Sequence, residues 1–156
     1  MGSGALLVIF TIIVLVVIIA LWRGAGGVKN RPQLVQNLLW DVKLNQGLVE
    51  TFYLREKPRK FETTHWGASK TTLGFLEESL RSTLAEAFGM VEDSNQQIET
   101  VKRDKSGDHR DIDVSKLNEP LARSKQGLED WLLENTGHKE LPPKYPSLRG
   151  TLFGEW

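Results

Sequence analysis

Between Ala5 and Trp22 the chain offers eighteen consecutive positions that are apolar apart from Thr11, and no comparable run follows Arg23. As a helix that run measures about 27 Å, close to the hydrocarbon thickness of a bilayer. In lipid an unpaired backbone has no solvent to bond to, so the helix is the favoured state despite the Ile and Val content. The pattern predicts a single transmembrane anchor over residues 1–23, with Leu6, Phe10, Ile13 and Val17 along its length. Trp22 and Arg23 take the interfacial positions that aromatic and cationic residues prefer. A cleaved secretory signal is the competing reading, since Gly24-Ala25-Gly26-Gly27 supplies small residues. The run exceeds the usual apolar core of about 7–15 residues, and no basic side chain precedes it, so the uncleaved anchor is favoured. Leu6 stands where a myristoylation signal needs Ser or Thr.

Past Arg23 the period changes. Glycines 24, 26 and 27 read as a flexible hinge over residues 24–31. Pro32 then marks a first helical turn. Val35, Leu38, Val42, Val49 and Phe52 recur at intervals of three and four, and Asn45 occupies the remaining slot. This spacing predicts a helix from about Pro32 to Lys57, stopped by Pro58. Leu34, Leu39, Trp40, Leu48 and Tyr53 widen the stripe to the breadth of a bundle helix. Asn45 reads as a boundary position open to water rather than a buried register-setting residue.

Residues 58–70 lack helical period and read as a loop. A second helix is predicted from about Thr71 to Asp104, carried by Leu73, Leu76, Leu80, Leu84, Ala87, Val91, Ile98 and Val101. Gly89 permits a break near its middle, and the thin stripe beyond Val91 predicts a half that projects into solvent or docks elsewhere. After a polar loop over residues 104–116, Asn118 reads as the cap of a third helix with Pro120 in its first turn. That helix carries Leu121, Leu128, Trp131 and Leu132 and stops at Gly137. Residues 138–156 contain three of the six prolines and read as an extended tail ending in aromatic residues. The expected fold is all-α: an anchor, a three-helix antiparallel head over residues 32–137, and a tail.

Charge refines placement more than fold. Lys+Arg and Asp+Glu number 20 each over 156 residues, but residues 1–23 hold only Arg23, so the head is hydrophilic and nearly balanced. That balance argues against a nucleic-acid binder, and the absence of cysteine excludes a disulfide framework. Arg23, Lys29 and Arg31 follow the apolar run before any acid appears. The positive-inside rule then puts the N-terminus outside and the head at the cytoplasmic face of the cell membrane.

Candidate chemistry is sparse. The Asp108, His109, Asp111, Asp113 group does not follow the calcium-loop spacing, and Lys105, Arg110 and Lys116 offset its charge. A solvated polar loop is the preferred reading. His65 has no Ser, Cys or acidic partner at a diagnostic spacing, and His138 sits where a helix end favours a cation. No phosphate loop, zinc pattern or nucleophile elbow is present, so neither a catalytic residue nor a metal or organic cofactor is expected. Gly47-Leu48-Val49-Glu50-Thr51 resembles a helix motif of the LemA family, but the residues around it depart from that motif. The five positions assign no family.

Two features suggest partners. Arg55, Lys57, Arg59 and Lys60 form a basic cluster beside Tyr53, suited to a protein or to anionic lipid. Phe153 and Trp156 give the tail interface-type anchors, as Trp40 does on the first helix. The expectation is therefore a non-enzymatic adaptor or accessory subunit that binds a membrane-associated protein or itself. The alternatives are a lipid-surface protein using residues 55–60, or a metal-dependent accessory enzyme using residues 108–113.

Overall fold

A computed structural model of the chain describes residues 30–104 and 107–142. The expected anchor, with Leu6, Phe10, Ile13, Val17, Trp22 and Arg23, lies outside the described residues, as do Phe153 and Trp156. Among the described residues no helix is long and apolar enough to cross a membrane.

The head is all-helical, with α1 (Arg31–Thr51), a short α2 (Thr64–Ser69), α3 (Glu78–Arg103) and α4 (Asn118–Thr136). Single 3₁₀ turns cover Phe52–Leu54, His109–Asp111 and Ser115–Leu117. α4 lies between α1 and α3 and packs on both, while α1 and α3 scarcely touch each other directly.

The direction of the helices departs from the antiparallel three-helix expectation. At one end the Arg31 guanidinium sits 5.2 Å over the Phe75 ring, which meets Trp131 edge-on at 5.5 Å. The starts of α1 and α3 and the end of α4 therefore share this end. At the other, the Tyr53 hydroxyl donates to the Ile112 carbonyl at 2.9 Å, and Val101 borders the same shallow depression as Ile112. α1 and α3 thus run parallel, and α4 runs against both. Residues 55–77 return along the full length of the head between α1 and α3. They form a fourth leg, built of extended chain and α2, which the sequence reading treated as a mere loop.

That leg completes the core. Phe61, Trp66, Leu73 and Leu76 are buried in it, with Trp66 stacked on Phe88 at 4.9 Å and Phe61 on Phe52 at 5.9 Å. Ile112 and Val114, from the supposedly polar 104–116 loop, are buried as well. The three regular helices expose a modest apolar area, and the connectors supply what closes it.

Element boundaries shift for identifiable reasons. α1 ends at Thr51 rather than near Lys57, because the chain tightens into a 3₁₀ turn and Arg55 becomes extended, with φ −95° and ψ 140°. The Arg55 carbonyl then faces His109, whose Nε2 donates to it at 3.1 Å. α3 starts at Glu78 rather than Thr71. Leu73 and Leu76 point inward at helical spacing, but they sit in a turn closed by Leu76 N–H donating to the Leu73 carbonyl at 2.9 Å.

α3 runs unbroken through Gly89, where an added Cβ would meet nothing within 4 Å. The glycine has no packing reason there and simply costs about 1 kcal/mol against alanine. The far half of α3 is docked rather than projecting, with Ser94 and Ile98 fully buried. α4 begins at Asn118, but its cap position is Leu117 and Asn118 makes no capping bond. Its stop is as expected: Gly137 is left-handed at φ 78° and donates to the Leu133 carbonyl at 2.9 Å. The chain does not leave the head there, since Leu141 packs against the core.

Candidate functional site

Two consecutive residues of α1 face opposite ways. Asp41 is fully buried and Trp40 is 64% exposed. What holds Asp41 inside is the start of α2. Its carboxylate accepts from the His65 N–H at 2.9 Å, the Trp66 N–H at 3.4 Å and His65 Nδ1 at 2.6 Å. Thr63, the residue in the cap position of α2, makes no side-chain capping bond. A carboxylate from another helix performs that task, satisfying amides that a first turn otherwise leaves open. Glu62 assists, its Oε1 accepting from the Thr64 N–H at 3.0 Å and from the Thr64 hydroxyl.

These bonds from Thr64 hold the Glu62 carboxyl below its ordinary range. A carboxyl lowered on folding stabilises the fold above its unfolded value, and that contribution fades as pH falls through the folded value. The start of α2 therefore loosens in acid.

One turn along α1, Asn45 is fully buried instead of open to water. It receives the Glu62 N–H at 2.6 Å and donates to the Glu62 carbonyl at 2.8 Å. Across the leg, Asn95 of α3 does the same for Phe61, receiving its N–H at 2.7 Å and donating to its carbonyl at 3.0 Å. Two neighbouring peptide units are thus each held in both directions by a side-chain amide, one from each flanking helix. This clamp fixes the rotation of α1, and with Asp41 and Asn45 facing the leg, Trp40 is turned outward.

The Asp41–His65 pair is the acid partner for His65 that sequence spacing did not reveal. Its geometry orients an imidazole, but the hydroxyls of α2 on either side are engaged elsewhere. Thr64 donates to Glu62, and Ser69 donates to the His65 carbonyl at 2.5 Å. The arrangement anchors α2 and offers no nucleophile.

Trp40 lines a groove of about 520 Å³ on the outer face of α1, with Gln33, Gln36, Asn37, Lys43 and Leu44. The opposite wall is Glu140, Leu141 and Pro142. The Leu141 N–H donates to Gln36 Oε1 at 2.7 Å, and Lys43 pairs with both Glu140 and Glu129. The groove is concave and largely apolar, with a few polar groups fixed by these bonds.

The basic cluster lies at the opposite end of α1, about 30 Å from Asn30 by helical rise. Lys60 pairs with Glu99 at 2.6 Å, and Lys60 accordingly holds the Glu99 carboxyl below its ordinary range. Arg55 Nε donates to the Thr51 hydroxyl at 3.4 Å. Lys57 and Arg59 are exposed, with Pro58 between them and Glu56 just before. Tyr53 has an internal task, since its hydroxyl also receives the Val114 N–H at 3.4 Å.

In the acidic loop, Asp108 receives the Arg110 N–H at 3.0 Å, and Asp113 receives the Ser115 N–H at 3.0 Å and its hydroxyl at 2.6 Å. The Ser115 bonds hold the Asp113 carboxyl low. His109 is buried. These groups cap turns, and among the described residues no three His, Asp or Glu side chains converge on a common point.

Neither a family model, nor a curated protein, nor a solved structure matches this chain. The functional reading therefore rests on the residues themselves.

Proposed function

We propose that the chain is a non-enzymatic, single-pass membrane-anchored adaptor or accessory subunit that binds a partner protein at the cytoplasmic face. The observation that carries this reading is Trp40: a large aromatic, 64% exposed, beside a groove and aimed outward by a buried polar clamp. Leaving an indole in water is unfavourable, and tryptophan is the residue type most enriched among interface hot spots. The apolar run from Ala5 to Trp22 supports the tether, and Arg23, Lys29 and Arg31 support its orientation.

The reading is tested by purifying the full chain in mild detergent and identifying stoichiometric co-eluting protein. Trp40→Ala should weaken that association by about 100-fold, the scale of an interface hot spot of 2–3 kcal/mol. The melting temperature of the head should not change, because the indole contributes little to the core. A wild-type chain that elutes as a lone monomer contradicts the reading.

A further inference from the structure

We propose that the outer face of α1 pairs with the same face of a second copy of this chain, antiparallel and two-fold symmetric about Gly47. The inference rests on the reading of Trp40 as an interface residue and names the occupant of its groove. Three positions carry it. Trp40 is 64% exposed, Leu54 is 83% exposed, and the exposed Gly47 stands midway, seven residues from each. Seven residues make close to two helical turns, so all three lie on one side of α1 and the 3₁₀ turn that extends it. Trp40 borders the groove, and Leu54 projects beyond Thr51 as a knob.

The spacing makes this face self-complementary. In a two-fold contact the same surface meets itself, so whatever one copy gives it also receives. In antiparallel helices centred on Gly47, position 40 of one copy comes level with position 54 of the other. Each Leu54 then enters the other copy's Trp40 groove, and the two largest exposed apolar groups of this face are covered together. A parallel pair would instead set knob against knob.

Close approach is available at the centre. Packed helix axes lie about 8–10 Å apart, and a residue without Cβ lets the backbones meet. Within the head an added Cβ at Gly47 would meet nothing within 4 Å, so the head's own packing does not call for glycine there. Charge favours the antiparallel course as well. Lys43, Glu129 and Glu140 leave the groove end at net −1, while Glu50, Arg55, Glu56, Lys57 and Arg59 leave the knob end at net +1. From Gln36 to Leu54 the face is about 27 Å long and one helix wide. That is the small end of specific interfaces, so the dimer is reversible and a partner protein can compete for Trp40.

The chain has no cysteine, so engineered ones report proximity without background. Position 44 of one copy and position 51 of the other fall on the same side of the crossing. Their Cα atoms lie about 6 Å apart, within disulfide reach. Two copies of position 44, or two of position 51, stay more than about 10 Å apart. Full-length Leu44→Cys and Thr51→Cys chains, mixed in mild detergent, should therefore form a covalent dimer at least tenfold faster than either variant alone. Adding Gly47→Leu to both should cut that rate about tenfold. It should not lower the melting temperature, because the position is open and leucine is the better helix former.

Faster pairing of like with like would mean that the copies run side by side, as association through the anchors alone would give, and overturns the assignment. So do a mixed rate no higher than that of the single variants, and a mixed rate that Gly47→Leu leaves unchanged. If one of these occurs while Trp40→Ala still releases a co-eluting protein, the adaptor reading stands and only the second copy as occupant falls.

Discussion

Asp41→Ala should destabilise the head by about 3 kcal/mol, the scale expected when two backbone amides lose a buried acceptor. The carboxylate is fully buried and accepts two backbone amides and one imidazole nitrogen. Alanine leaves those amides without partners, at about 1–3 kcal/mol for each buried orphan. It also removes the cap on which a six-residue helix depends, since α2 has none of its own. For a domain of this size a loss of 3 kcal/mol lowers the melting temperature by about 10–15 °C. Circular dichroism on heating reads that shift. His65→Ala should cost less, because the imidazole side chain is 40% exposed and the two backbone bonds to Asp41 survive. A loss below about 1 kcal/mol for Asp41→Ala would mean that the carboxylate is not the cap of α2, since even one buried orphan amide exceeds it.

Asn45→Ala should cost about 2 kcal/mol, since it removes the partner of both the N–H and the C=O of the half-buried Glu62. Asn95→Ala should cost less, because Asn95 is only half-buried. The informative quantity is the double substitution. Asn45 and Asn95 hold adjacent residues of one segment from opposite sides, so once either is gone the leg has already begun to leave. The double variant should lose less than the sum of the singles by about 1 kcal/mol, a coupling typical of residues sharing one network. Urea unfolding of the four proteins of this cycle measures it. Strict additivity would show that the two amides act independently and that residues 61–62 are not a single clamped unit.

How far the sequence carried can be judged from particular residues. The last turn of α4 was legible, because Gly137 is a local signal that needs no tertiary partner. The inward stripe of α1 was legible from period alone at Val35, Leu38, Val42 and Val49. Trp40 was assigned to the widened stripe and is exposed, while the charged Asp41 beside it is buried. Hydropathy ranks those two residues in the wrong order, and only the α2 amides 24 residues away reverse it.

α2 itself was invisible for the same reason. It is six residues long, with no cap of its own and a glycine within it, so its stability is borrowed from α1. Asn45 was read as open to water because a lone amide in a heptad seam carries no local sign of the backbone it binds. A signal did exist. Asp41 and Asn45 lie four residues apart on one helix face, both polar within an apolar stripe, and such a pair needs buried donors opposite. The parallel course of α1 and α3 was hidden because the segment between them was counted as a connection, although 23 residues can span the whole head.

The functional claim depends on this local physics. Trp40 presents its indole to solvent because the clamp holds the opposite side of α1 against the leg, so a loose leg would leave α1 free to turn the indole inward. Amide hydrogen exchange of the full chain tests that most directly. The amides of Phe61, Glu62, His65 and Trp66 should exchange as slowly as those in the middle of α3, from Leu84 to Ile98. Exchange of these four at the rate of an unstructured peptide, while α3 stays protected, would contradict the account.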